Sequence, residues 1–292
     1  MSSFLRCQRT LGGVATLAGF GYWSGQDVRV EFRPAPPHTG IVFVRGDLDP
    51  PRRIAALVEN RLEVPRRSSL AAGGATVEMV EHVTAALYGL QIDNCEVWVD
   101  RPELPGADGS CLPFLDILDA VGTVEQAAVR AQLQVDHVVR VSDRQSWIEA
   151  RPTEGPGCTI DCYIDYGPDN VIGQQSFRVA VTSDSFRSEL AGARTFILAE
   201  EAEWMRRQGL GARVTVRDLL VLGEDGPIDN PFRFPDECVR HKTMDVVGDL
   251  ALTGYELAGH FVAHCSGHRL NAELVKNLVA RCPVVRGLRK TA

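Results

Sequence analysis

The sequence predicts an α+β protein of two similar domains, each a two-layer sandwich of helices on a sheet. Three observations carry that prediction. The chain has 292 residues, and single cores stop growing at about 250–300 residues, so two domains of roughly 130–160 residues are the natural division. Hydrophobic residues make up 45% and charged residues 24%, which is enough apolar content for a packed interior. Strands, a helix, a strand and a helix then follow in that order in each half, around an interval near residues 122–133. The expected ranges are 1–125 for an N-terminal domain carrying a Glu-His pair, and 132–292 for a C-terminal domain carrying His-x-x-x-Asp and Ser-Gly-His.

Each element has its own signal. Residues 27–35 alternate polar and apolar, with Val28, Val30 and Phe32 on one face, and the breaker cluster PAPPHTG separates them from IVFVR at 41–45. Residues 77–90, VEMVEHVTAALYGL, show helical spacing and end at a glycine. A strand at 94–100, a Pro/Gly-rich loop at 101–110 and a short helix at 113–121 complete the first half. The segments VDHVVRVSD, QSWIEARP and CTIDCYIDYG, within 135–167, read as successive strands of an antiparallel sheet. Residues 183–209 are helical in pattern with a break near ARTF, and 214–223 read as a strand. A helix at 239–254, a strand entering GHFVAHCSGH at 259–268 and a last helix at 271–282 follow.

Composition excludes some functions. A formal net charge of −7 argues against a nucleic-acid or anionic-membrane surface, which needs a basic excess. No run approaches the roughly 20 apolar residues of a membrane span, and the N-terminus lacks a continuous apolar leader with a cleavage site. The eight cysteines form no C-x-x-C pair, so a cysteine-based zinc or redox motif is unsupported. Cys158 and Cys162 in CTIDC share one strand face, as buried thiols do. These features predict a cytoplasmic protein with reduced thiols and no stable membrane insertion.

The chemistry gathers on two apolar helices. In VRHKTMDVVGDLALTG, residues 239–254, His241, Asp245 and Asp249 recur every four residues and stack on one face. Imidazole plus carboxylate suits Zn²⁺ or a similar first-row ion, and Asp249 lies one turn further, where it could orient a neighbouring histidine. A solvated polar stripe explains the same spacing. Glu81-His82 in MVEHVTAAL adds a third ligand, a second imidazole, and a carboxylate that could take a proton from an attacking water. A surface pair without a role is the alternative. His268 ends SGH, and nearby His260 and His264 alternate with Phe261 and Ala263 as on a sheet face, which reads as structural.

Together the segments resemble the UDP-3-O-acyl-N-acetylglucosamine deacetylase family, zinc amidases acting early in lipid A synthesis. GFGYWSG (19–25), PAPPHTGIVF (34–43), VEHVTAALYGLQIDN (80–94), PELPGADGSCLPF (102–114), ARTF (193–196), FPDECVRHKTMDVVGDLALTG (234–254) and SGHRLN (266–271) carry the resemblance, in the family's order and over most of the chain. It implies an active site between the two domains, with acetate and a free amine as products. Position by position, it makes His82, His241 and Asp245 the ligands of a Zn²⁺, or of Fe²⁺ in the cell. Glu81 matches the general base. His268 matches the cationic partner of the developing oxyanion and the proton donor to the amine, with Asp249 orienting it. Thr195 matches a hydroxyl at the tetrahedral carbon. Lys242 and Phe196 match residues of the sugar and phosphate region, and Leu210 falls beside the acyl passage. The implied partner is a small acylated UDP-sugar, with no nucleic acid.

Two departures stand out. Trp23 replaces the family's usual histidine, and LGARVTVRDLLVLGEDGPIDN replaces the usual Gly-Gly-Ser run and Asn-rich strand. Trp204 and Leu210 would line an acyl passage there or belong to the core. The chain ends shortly after the last helix, so no appended dehydratase domain is expected. Two other readings stay open at this point: hydrolysis of a different N-acetyl sugar, and a catalytically idle relative that binds a nucleotide sugar.

Overall fold

The computed structural model describes residues 5–287; residues 1–4 and 288–292 of the two expected domain ranges lie outside the described residues. The chain begins with β1 (Cys7–Leu11), β2 (Ala15–Phe20), β3 (Asp27–Pro34), β4 (Ile41–Arg45) and β5 (Arg52–Ala55). An antiparallel ribbon of β6 (Arg61–Leu62), β7 (Ser69–Ala72) and β8 (Ala75–Glu78) leads into α1 (Glu81–Gly89), and β9 (Cys95–Val99) and α2 (Leu112–Val121) follow. A five-stranded sheet runs β2-β3-β9-β4-β5, antiparallel throughout except for β4 beside β9. In β3, Val28, Val30 and Phe32 point inward, as the alternation predicts.

The second half opens with β10 (Thr123–Val129), which pairs back onto β1, so the interval expected between the halves is itself a strand. A seven-stranded sheet combines β11 (Gln132–Gln134), β12 (Val139–Asp143), β13 (Ser146–Arg151), β14 (Cys158–Asp165), β15 (Gln174–Val181), β19 (Glu256–His264) and β20 (Val284–Val285). β19 is its centre, antiparallel to β13 and parallel to both β14 and β11. Cys158 and Cys162 are buried on one face of β14. A single turn α3 (Ser183–Ser185) continues into a π-helical turn at Phe186–Leu190. Beyond ARTF, β16 (Phe196–Leu198), α4 (Ala199–Arg207), β17 (Leu220–Gly223) and β18 (Gly226–Pro227) form a small outlying unit. The long helices α5 (Glu237–Leu250) and α6 (His268–Arg281) cover the larger sheet.

The architecture is therefore α+β, with helices layered on each of two sheets and the helix layers meeting at α1 and α5. All of α1 except Tyr88 is buried, and all of α5 except Arg240 and Lys242. Helices buried on nearly every side lie between layers rather than on a surface. The contact is close because Gly248 lacks a side chain: a Cβ there would lie 2.2 Å from the Glu81 carbonyl oxygen. Thr84 Oγ1 donates to the Gly248 carbonyl across the same contact, at 2.9 Å.

Three expected elements are corrected. The helix expected from residue 77 begins at Glu81, because Val77 and Glu78 finish β8 opposite Leu70 and Ser69, and Met79 turns the chain with φ 59°. The strand expected over 214–223 is confined to Leu220–Gly223, since the Thr215 N–H and hydroxyl both donate to Asp218 Oδ2 and fold the preceding residues into a turn. The last helix starts at His268 rather than 271, placing that histidine at the helix's first residue.

Candidate active site

The buried contact between α1 and α5 brings the predicted donors together. His241 Nε2 lies 3.5 Å from Asp245 Oδ1, and His82 Nε2 lies 3.8 Å from the same oxygen. The two imidazoles meet edge to face, with centroids 5.3 Å apart. All three donor atoms lie within 4.8 Å of one another. Two ligands about 2.0–2.1 Å from a tetrahedral ion sit roughly 3.3 Å apart, so the group fits a small divalent cation with modest closing.

The electrostatics suit such an ion. Burial, then the neighbouring His241, pushes His82 down to about 3, and burial also lowers His241. Both rings are therefore neutral near pH 7, with a lone pair to donate. A carbonyl only accepts, so the 3.2 Å contact from His241 Nδ1 to Ala193 O places the proton on Nδ1 and leaves Nε2 facing Asp245. Burial works to raise the Asp245 carboxyl, but His241, Lys242 and His268 outweigh it and hold the group ionised. Lys242 Nζ donates to Asp245 Oδ2 at 2.8 Å. Burial would lower this ammonium, and Asp245 more than compensates.

Glu81 and His268 face the same space. Burial pushes Glu81 up to about 7, against the opposing pull of His268. Burial works to lower His268, but Asp249 overcomes it and carries the ring up to about 9. His268 Nδ1 lies 2.8 Å from Asp249 Oδ2, and its Nε2 lies 4.0 Å from Asp245 Oδ2. Asp249 is fully buried and also accepts from Asn271 Nδ2 at 2.8 Å and from the Ser68 hydroxyl at 2.6 Å. The residue pairs thus place a group that ionises near neutrality beside one protonated near neutrality.

The cleft around them has a volume of about 1230 Å³ and includes Thr195, Phe196, Leu210 and Lys242 in its lining. Thr195 lies in the loop before β16, where its N–H and hydroxyl both donate to the Gly109 carbonyl, at 2.7 and 3.1 Å. The Phe196 ring stands 6.1 Å from that of His241. Trp23 also lines the cleft, under the Arg67 guanidinium at 4.5 Å, with its N–H held by Glu103. Trp204 is corrected on both counts: it is 55% exposed, lies outside the cleft lining and is not core. His260 and His264 lie on the sheet face opposite Phe261 and Ala263, His260 on Asp161 and His264 stacked between Trp147 and Tyr163. Ser68 and Asn271 were not singled out from the sequence. Neither has a motif of its own, and the SGHRLN segment offered the only hint of Asn271.

The chain is similar to known proteins over most of its length. A profile of the UDP-3-O-acyl N-acetylglycosamine deacetylase family matches residues 8–280. UDP-3-O-acyl-N-acetylglucosamine deacetylases of Brucella ovis, Brucella canis and Brucella melitensis biotype 2 are each 38% identical to the chain over 275 residues, covering 94% of it and 95% of the relative.

Proposed function

Because the chain belongs to the UDP-3-O-acyl N-acetylglycosamine deacetylase family, we propose that it hydrolyses the N-acetyl group of UDP-3-O-(3-hydroxyacyl)-N-acetylglucosamine, giving acetate and the free amine for lipid A synthesis. The observation that carries this reading is the pairing of Glu81 and His268, both shifted upward, one by burial and one by Asp249, beside three converging donors in one cleft.

His82, His241 and Asp245 would hold a divalent cation, Zn²⁺ or Fe²⁺, since a nitrogen and carboxylate donor set accepts either. Such an ion would supply Lewis-acid chemistry there, polarising the acetyl carbonyl and making a water more acidic. Glu81 takes a proton from the attacking water as the new C–O bond forms. The protonated His268 ring stabilises the charge that develops on the carbonyl oxygen, and the Thr195 hydroxyl would join it on turning from the Gly109 carbonyl. His268 then gives its proton to the nitrogen as the C–N bond breaks. Asp249, bonded to His268 Nδ1, sets the ring's orientation and keeps it cationic.

The rest of the cleft suits the substrate's two ends. Ile197, Ala202, Met205, Leu210, Val214 and Leu219 offer an apolar wall for an acyl chain. Lys242, Arg144 and Arg269 supply positive charge for a diphosphate, and Phe196 an edge for the sugar. We read residues 1–125 and 132–292 as two domains with this cleft between them. A cytoplasmic location agrees with the eight unpaired thiols. Among the described residues no helix is long and apolar enough to cross a membrane.

Acetate release from the acylated UDP-sugar, measured beside the Glu81→Ala variant and beside a substrate lacking the 3-O-acyl chain, tests the reading. Activity that depends on Glu81 and on the acyl chain is expected. Equal rates with and without that chain point to another N-acetyl sugar, and a metal-loaded protein silent on both points to an idle relative.

A further inference from the structure

Ser68 precedes β7 and is wholly buried. Each of its polar groups is engaged. Its carbonyl accepts the Val80 N–H at 3.1 Å, its own N–H donates to Glu81 Oε2 at 3.0 Å, and its hydroxyl donates to Asp249 Oδ1 at 2.6 Å. It thus bonds to a carboxylate on α1 and to another on α5. We propose that Ser68 is a positioning residue for the deacetylation, fixing the base and the Asp249–His268 pair in one relation. The inference rests on the roles given above to Glu81, Asp249 and His268.

The geometry of each carboxylate makes the case. Asp249 Oδ2 is shared by His268 Nδ1 and Asn271 Nδ2, so two donors act on one oxygen. The Ser68 hydroxyl is the donor on the other oxygen and stops the carboxylate turning about its terminal bond. Without it, Oδ1 becomes a buried acceptor with no protein donor among the described residues, and the plane that aims the His268 ring is held from one side only. On Glu81, the Ser68 N–H donates to Oε2 and holds the carboxylate from the side of the ribbon. Ser68 reaches no cleft space itself and acts through these two groups; it does not appear in the cleft lining.

The test is a coupling cycle on the metal-loaded enzyme, with Ser68→Ala, Asp249→Ala and the double variant assayed for kcat, KM and bound metal. Ser68→Ala should lower kcat by about ten- to a hundredfold, the range for losing a hydrogen bond to a charged group, with KM and metal content unchanged. In the Asp249→Ala background the same change should have almost no further effect, because its target is gone. Wild-type kcat in Ser68→Ala, or its full loss again in the double variant, overturns the proposal. If Asp249→Ala alone keeps full turnover, the reading of the site fails and the proposal with it; if Asp249→Ala is slow and Ser68→Ala is not, Ser68 alone is wrong. Should the alanine variant not fold, Ser68→Cys keeps the volume with a weaker donor. The same kcat loss at constant KM supports the proposal, and wild-type kcat overturns it.

Discussion

Glu81 and His268 share one buried cleft, and their surroundings move them differently: burial dominates at the glutamate, the Asp249 carboxylate at the histidine. In the proposed mechanism the base works ionised, so activity should rise with pH as Glu81 deprotonates near 7; the acid works protonated, so activity should fall as His268 loses its proton near 9. A bell-shaped kcat/KM profile follows, and a cation in the donor group draws both limbs to lower pH by favouring the carboxylate over its acid and the neutral ring over the cation. His268→Ala should remove the alkaline limb. It should also slow turnover by about 10²–10³ while leaving metal bound, since removing one stabiliser of developing charge costs that much. A variant with wild-type turnover takes His268 out of the mechanism. At this scale the sequence was most legible where chemistry follows helical spacing. His241, Asp245 and Asp249 lie one turn apart on a single helix, and their neighbourhood was readable before any fold was known. Ser68 was not readable, because its partner Asp249 is 181 residues away and a buried serine in a ribbon carries no pattern.

Among the elements, α1 and α5 were legible as helices, but their all-round burial was not. A stripe of His and Asp on an apolar helix looks the same whether it faces water or another helix, and only the sheets decide. The error at residues 77–80 has a similar origin. Val77, Val80 and Val83 keep helical spacing, yet Val77 belongs to a strand pair and Met79 to a turn. The strands β1 and β10 escaped because each is held by the other, from the far end of the first half of the chain, rather than by local alternation. The outlying unit around α4 was the least legible, and two variants probe it. Trp204→Ser should leave stability within about 0.5 kcal/mol of wild type, as exposed positions do, and should not alter acyl-chain preference. Leu210→Asp, on the apolar wall, should raise KM for long acyl chains far more than for short ones, since each buried methylene contributes about 0.8 kcal/mol. Measuring both variants against a chain-length series decides which residue the chain meets.

Across the whole molecule, the donors come from both halves of the chain: His82 on α1, His241 and Asp245 on α5. An ion held by all three joins the two layers, so its binding energy becomes stability of the assembled pair. Chelation should lower the melting temperature, and restoring metal should recover it in a concentration-dependent way; His82→Ala should melt at one temperature with or without metal. The contact they share depends on Gly248. A methyl group there would meet the backbone of α1 rather than a movable side chain, so Gly248→Ala should destabilise the protein by about 1–3 kcal/mol and slow turnover more than it weakens substrate binding. Calorimetry beside steady-state kinetics checks both. The proposed reaction, which passes a proton from water to one helix and returns another from a ring steered by the second, would be gauged by a hydrogen atom standing where other residues carry carbon. A position that meets neither ion nor substrate would set the span that both proton transfers must cross.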